Sequence, residues 1–259
     1  SAMADILVVI CARGGSKGVK AKNIRPLAGA PLMAYTIRQA LEWGRAKHVV
    51  VSTDSEEIAG LARQYGAEVP FMRPAELATD TASKVLAIKH ALTACEKLFG
   101  ERYPIVVDLD VTAPVRCGKD LDQCLALFEK ARPKTLFSVV LAHKNPYFNL
   151  VEPTAPLQPS AHPALDPSGA AHPAGNGRVQ ISKSLGRYVM RRQDAPPVYA
   201  MNASIYFYDR GYLLETENPS PLTDNSQVYV MDDSAGVDVD REIDFKFLEF
   251  LLKEGVVKL

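Results

Sequence analysis

The chain has 259 residues, with 30 Lys+Arg balanced by 30 Asp+Glu. That length suits one full α/β domain with an elaboration, and the balanced charge gives no global field to draw in nucleic acid or an anionic membrane. No apolar run approaches the length of a transmembrane helix, and Cys11, Cys95, Cys117 and Cys124 lack metal-like spacing, so single reduced thiols in a cytoplasmic protein are expected.

The first element is Ile6–Ile10 (ILVVI), an apolar β-branched run that predicts a buried parallel strand. It runs into Cys11 to Asn23, CARGGSKGVKAKN, where Gly14, Gly15 and Gly18 alternate with Arg13, Lys17, Lys20 and Lys22. Glycines let backbone N–H groups close on an anion, the cations add charge, and the Ser16 hydroxyl can donate. A polyanion such as a nucleoside triphosphate suits that loop. The spacing is neither G-x-x-x-x-G-K-[ST] nor G-x-G-x-x-G, which disfavours Walker NTPases and classical dinucleotide binders.

Helical period then covers Leu32 to Gly44, and His48 to Val51 reads as a second buried strand ending in Ser52-Thr53-Asp54-Ser55. A helix from Glu56 to Tyr65 and a short strand from Glu68 to Phe71 follow. The polar loop RPAELATDTAS, Arg73 to Ser83, leads into a helix from Lys84 to Phe99. Ile105 to Leu109 is the next buried strand, Asp120 to Lys130 a helix and Leu136 to Leu141 a strand. This alternation predicts a mostly parallel sheet whose ligands bind beyond the strands' carboxyl ends. Pro153 to Gly177 is rich in Pro, Ala, Gly and Ser and reads as a flexible surface loop. His162 and His172 within it read as solvated. Ala203 to Tyr208 is a strand followed by a helix-breaking stretch through Asn225. Val228 to Met231 is a strand, and Glu242 to Lys253 an amphipathic helix.

A triphosphate needs a hard divalent cation. Asp238 and Asp240 flank Val239, so an extended backbone turns both carboxylates to one side. Asp108 and Asp110 form a second such triplet. Asp108 lies inside a strand, where pairing with a basic neighbour competes with a metal role, and Asp110 lies just past the strand end, facing the cleft.

CARGGSKGVKAKN, RPAELATDTAS, LDVTAPVR, RRQDAPPVYAMNASIYFYD and VDVDREID stand in the order seen in acylneuraminate cytidylyltransferases, the CMP-sialic acid synthetases and their legionaminic and pseudaminic relatives. The chain resembles that family over nearly all its length outside Pro153 to Gly177. The resemblance implies an α/β, Rossmann-like nucleotidyltransferase fold, residues 4–141 with 203–259, and an inserted dimerisation element at 142–202 carrying the loop 153–177. It implies transfer of CMP from CTP to the anomeric hydroxyl of a nine-carbon 2-keto sugar acid, with Mg²⁺ (or Mn²⁺) and a homodimer. By matched position, Ala12, Arg13, Gly14, Gly15, Ser16, Lys22 and Asn23 fall on the triphosphate, with Arg13, Lys17 and Lys22 in the catalytic role. Arg73, Ala82 and Ser83 fall on cytosine and ribose; Asp110, Arg192, Gln193, Asn202 and Tyr206 on the sugar; Asp238 and Asp240 on the metal. The chain departs where the sialic acid enzymes have L-Q-P-T-S-P-L-R, because Asp110 stands for their glutamine, and Lys84 stands where some members have Ser. A legionaminic-type 5,7-diamino sugar is therefore at least as well supported as N-acetylneuraminate. Three readings stay open: an eight-carbon keto acid as acceptor, a metal-dependent glycosyltransferase, and a nucleotide-binding protein without catalysis.

Overall fold

The computed structural model describes residues 3–15, 21–159, 164–165, 171–172 and 175–259. Ser16, Lys17 and His162 lie outside the described residues, as does the His172 side chain. The chain divides into two compact units, Ser1–Val139 with Met201–Leu259, and Val140–Ala200.

The larger unit is built on a six-stranded sheet. Its strands are β1 (Ile6–Cys11), β2 (His48–Ser52), β3 (Ile105–Leu109), β4 (Thr135–Leu141), β5 (Tyr199–Asp209) and β6 (Ser226–Val230), in spatial order β6-β4-β5-β3-β1-β2. β1 runs parallel to both β2 and β3, β6 parallel to β4, and β5 antiparallel to β3. Five of the six β1 residues are buried, which is why this run has no alternation of polar and apolar side chains.

The helices are α1 (Leu32–Trp43), α2 (Glu56–Gln64), α3 (Lys84–Phe99), α4 (Gly118–Ala131), α5 (Arg210–Glu215) and α6 (Glu242–Lys253). α3 buries Val85, Ile88, Leu92 and Cys95 against Leu7, Val9, Val50 and Val106. On the other side, aromatic contacts join Phe207 of β5 to Phe128 of α4 and Trp43 of α1, with ring centroids 5.8 and 6.4 Å away. Phe207 is fully buried, and burial of a side chain of that size contributes ~2–3 kcal/mol. Gly100, in the left-handed region at φ 63°, stops α3.

Three features differ from the sequence expectation. Glu68 to Phe71 is not a strand: only Glu68 pairs, by a bridge to Val50, and Pro70 has no N–H with which to extend it. The stretch after β5 holds a six-residue helix, α5, whose Asp209 cap accepts from the Tyr212 amide at 2.9 Å. The segment from Pro153 to Gly177, expected to be a loop, holds short antiparallel pairings among its described residues. Val151–Pro153 meets Val179–Ile181, Gln158–Pro159 meets Gly175–Asn176, and Ala164–Leu165 meets Ala171–His172. Backbone pairing needs no apolar face, so composition was silent about it. Gly175 is required there, because a Cβ would come 2.7 Å from the Gln158 carbonyl.

β5 is irregular at Ala203, a non-glycine residue at φ 58°. Asn202, Ser204 and Ile205 beside it are all buried, as in a strand covered on both faces.

At the β2 edge, His48 stacks on Phe99 with centroids 4.1 Å apart and bridges Glu68 at 2.8 Å and Glu101 at 3.0 Å. Burial alone would lower the imidazole pKa, and the hydrogen bonds to Glu101 and Glu68 outweigh it and leave it raised. A raised folded-state pKa gives stability that is full below the unfolded value of about 6.5 and fades as pH rises through the folded value. Chemical denaturation between pH 6 and pH 9 should show stability lost on the alkaline side, with a smaller loss in His48→Gln. An equal loss in both proteins would remove His48 as the cause.

Candidate active site

The carboxyl ends of β1, β2 and β3 open on one pocket of about 150 Å³, lined by Cys11, Arg13, Lys22, Asn23, Arg73, Lys84, Asp110 and Thr112. Its upper rim is the loop after β1. The Gly14 amide donates to Asp54 Oδ1 at 2.8 Å, Arg13 meets Asp80 at 2.7 Å, and Asn23 Nδ2 donates to the Arg13 carbonyl at 3.1 Å. The short 3-10 turn Lys22–Ile24 then carries Lys22 Nζ to within 3.1 Å of Asp240 Oδ1. Residues 218 positions apart thus meet, a loop cation against a distal aspartate.

Arg73 is 6% exposed, and its guanidinium donates to the Ser52 hydroxyl at 2.9 Å and the Ser52 carbonyl at 2.7 Å. It braces the end of β2 while lining the pocket. Ser83 is exposed at the N-cap of α3 with no side-chain capping bond, which leaves its hydroxyl open, and the Ala82 amide closes the preceding turn on Thr79.

On the floor, Lys84 Nζ sits 2.9 Å from Asp108 Oδ2 and 2.8 Å from Asp110 Oδ2. Asp110 Oδ1 accepts from the Thr112 amide and hydroxyl, each at 2.8 Å. Burial pushes Asp110 up, but Lys84 and then Thr112 bring it down to about 2. Burial raises Asp108, whose Lys84 contact offsets this only in part. Lys84 itself would be lowered by burial, and the two carboxylates instead hold it charged, well above its ordinary value. Asp108 therefore pairs with a basic neighbour rather than standing open.

The distal segment is tied to this floor, since the Val239 amide donates to the Thr112 carbonyl at 2.7 Å. Asp238 and Asp240 flank that bond. Desolvation first, and then the charge of Asp240, raise the Asp238 carboxyl. Two hard oxygen donors held together against their repulsion are a donor set suited to a divalent cation such as Mg²⁺.

The residues expected at the sugar are distributed. Tyr206 lies on the floor, with Lys84 Nζ 5.4 Å from its ring centroid. Asn202 is buried with its carboxamide occupied: Ser138 donates to its oxygen at 2.6 Å and its nitrogen donates to the Ala235 carbonyl at 2.9 Å. Arg192 and Gln193 open an exposed 3-10 turn in the Val140–Ala200 unit. Sequence reasoning missed Asp54, Asp80 and Thr112. Thr112 lies in the quoted LDVTAPVR stretch, two residues past Asp110, a spacing at which a hydroxyl can bond back to an aspartate.

A doubly wound sheet with a glycine and cation loop after its first strand, and aspartates facing that loop, defines a nucleotide-binding α/β enzyme. A family model described as cytidylyltransferase matches residues 7–153. The chain is 43% identical over 250 residues to a CMP-N,N'-diacetyllegionaminic acid synthase of Campylobacter jejuni, covering 96% of each chain. It is 42% identical over 252 residues to a post-translational flagellin modification protein B of Campylobacter coli, covering 97% of each. In fold it is similar to a CMP:2-keto-3-deoxy-manno-octonic acid synthetase complexed with CTP, at a TM-score of 0.66 and 15% identity over 97% of this chain and 100% of the other. The chain belongs to the cytidylyltransferase family and is a CTP-dependent nucleotidyltransferase.

Among the described residues, no helix is long and apolar enough to cross a membrane.

Proposed function

We propose that this enzyme transfers CMP from CTP to the anomeric hydroxyl of a nine-carbon 2-keto sugar acid of the N,N'-diacetyllegionaminic class, releasing pyrophosphate. The observation that carries the reading is the 43% identity, across 96% of both chains, to the Campylobacter jejuni synthase of that name. The carboxylate of Asp110, in the place of a glutamine in the sialic acid enzymes, agrees with an acceptor other than N-acetylneuraminate.

In this scheme the sugar hydroxyl oxygen bonds to the α-phosphorus of CTP as the bond to pyrophosphate breaks. Arg13, Lys17 and Lys22 hold the triphosphate and stabilise the charge that gathers on its oxygens. Arg73, Ala82 and Ser83 form the cytosine and ribose side, and Asp110 and Tyr206 the sugar side. Asp238 and Asp240 would hold Mg²⁺, which supplies a positive charge to the phosphate oxygens when bound. The Val140–Ala200 unit presents Tyr188, 89% exposed, and Met190, 81% exposed, and we assign it the contact of a homodimer. Sedimentation giving a mass near twice 28.3 kDa supports that assignment, and a monomer at micromolar concentration rejects it.

Pyrophosphate release from CTP and Mg²⁺, measured with a panel of acceptors, tests the function. N,N'-diacetyllegionaminic acid should give the highest kcat/KM, ahead of pseudaminic, N-acetylneuraminic and eight-carbon keto acids. Preference for the eight-carbon acid, or release from none, would overturn it.

A further inference from the structure

We propose that the Lys84 ammonium is a tethered cation filling the Asp108–Asp110 carboxylate pair, which keeps divalent metal out of that pair and positions Asp110 and Thr112. The inference rests on the reading of Asp238 and Asp240 as the metal platform.

The chain carries two triplets of the form Asp-x-Asp, at 108–110 and 238–240; Asp110 lines the pocket, and the second triplet is tied to pocket residues through Lys22 and Thr112. By sequence each offers a divalent ion the same two carboxylates. The structure treats them differently. Between Asp108 and Asp110 stands Lys84 Nζ, 2.9 and 2.8 Å from one oxygen of each. The ammonium thus stands between the two carboxylates that would otherwise be the donors to a cation. At the other triplet, Lys22 Nζ lies 3.1 Å from Asp240 Oδ1 alone and does not bridge the two carboxylates, and Asp238 is hydrogen-bonded by Thr112.

The placement of Lys84 argues for a function beyond neutralisation. It is the first residue of α3, where the helix dipole disfavours a cation. Asp108 is 1% exposed, and its Oδ1 has no hydrogen-bond partner among the described residues. A buried carboxylate with one oxygen unpartnered is a costly arrangement that an apolar residue would avoid. Held as it is, the pair forms a line of contacts. Lys84 fixes Asp110 Oδ2, Asp110 Oδ1 receives both Thr112 donors, and the Thr112 carbonyl receives the Val239 amide between the two platform aspartates. Lys84 is thus a positioning residue. It prevents a metal from settling some way off the platform, where it would draw the triphosphate out of line.

Electron paramagnetic resonance of Mn²⁺ titrated into the nucleotide-free protein tests this, with Mn²⁺ alone as the probe. Wild type should bind Mn²⁺ in a manner lost in Asp240→Asn. Lys84→Ala should bind one additional Mn²⁺ per chain, retained in Lys84→Ala/Asp240→Asn and lost in Lys84→Ala/Asp108→Asn. Lys84→Arg should match wild type in stoichiometry. Wild-type stoichiometry in folded Lys84→Ala overturns the proposal. If Lys84→Ala does not fold, Lys84→Ala/Asp108→Asn decides, since it removes one charge of each sign. Its kcat should fall ~10–100-fold with the CTP KM little changed, and wild-type kcat in that variant overturns the proposal. Binding that survives Asp240→Asn in the wild-type background instead strikes at the platform reading, and the acceptor panel tests the reaction independently of both.

Discussion

Lys22→Ala will lower turnover about 100–1000-fold at saturating CTP, the range seen when one preorganised donor to a developing oxyanion is removed. Lys22 is placed for that task by three facts. It follows the glycine loop directly, its side chain is only 14% exposed, and its ammonium lies 3.1 Å from Asp240. The cation is therefore confined at the junction of the phosphate loop and the metal platform, and needs no large reordering to meet a triphosphate. Folding should hardly change, because an ion pair with a partner as open as Asp240, 59% exposed, is worth at most about 1 kcal/mol. Lys22→Arg should recover part of the loss. Wild-type turnover in Lys22→Ala, with an unchanged melting temperature, would remove Lys22 from the triphosphate site.

Arg116→Met will destabilise the protein by about 3–5 kcal/mol, as removal of one partner from a buried charged network does. Arg116 is 5% exposed and ties its own loop after β3 to α1 and β5. One terminal nitrogen donates to Thr36 Oγ1 at 2.8 Å and the Asp110 carbonyl at 2.9 Å, and the other donates to Ser204 Oγ at 3.0 Å and to the Ala113 carbonyl. Burial lowers its pKa to about 10, and Asp110 and Asp108 oppose the shift, so it stays charged at neutral pH. Methionine fills the volume and leaves those acceptors and the two carboxylates without the cation. A fall in melting temperature of roughly 10 °C is expected for a chain of this size. A shift under about 2 °C would mean that solvent replaces these bonds at little cost.

Local pattern made most of the fold legible. α3 runs from Lys84 to Phe99 and β3 from Ile105 to Leu109, as their apolar spacing and lengths require. α4 starts two residues before the expected Asp120, at Gly118, because the Asp120 side chain reaches back to the Cys117 amide. α5 escaped notice because Gly211 and the following prolines and asparagines read as breakers, although Asp209 three residues before Tyr212 is a capping signal. Within the site, the sequence offered the glycine and cation loop and the Asp238–Asp240 pair as candidates, and the structure brings Lys22 of that loop to Asp240. What was not legible is which charge answers which. Lys84 lies 26 residues from Asp110, and Asp54 lies 40 from the Gly14 amide it accepts from. Pairings of that kind are set by strand order, and the order β5-β3-β1-β2 is itself a tertiary fact.

The left-handed backbone at Ala203 restricts what this position can become. At φ 58° the backbone lies where an L side chain is crowded by its own carbonyl, at a cost of about 1–2 kcal/mol that glycine escapes. Asparagine and aspartate tolerate that region, whereas valine, isoleucine and threonine do not. Those three are the residues most at home in a strand, so ordinary drift toward better strand formers is closed off here. The permitted alphabet narrows to glycine, alanine, asparagine and aspartate. At this half-buried position, flanked by the buried Asn202 and Ser204, main-chain geometry restricts the choice of side chain.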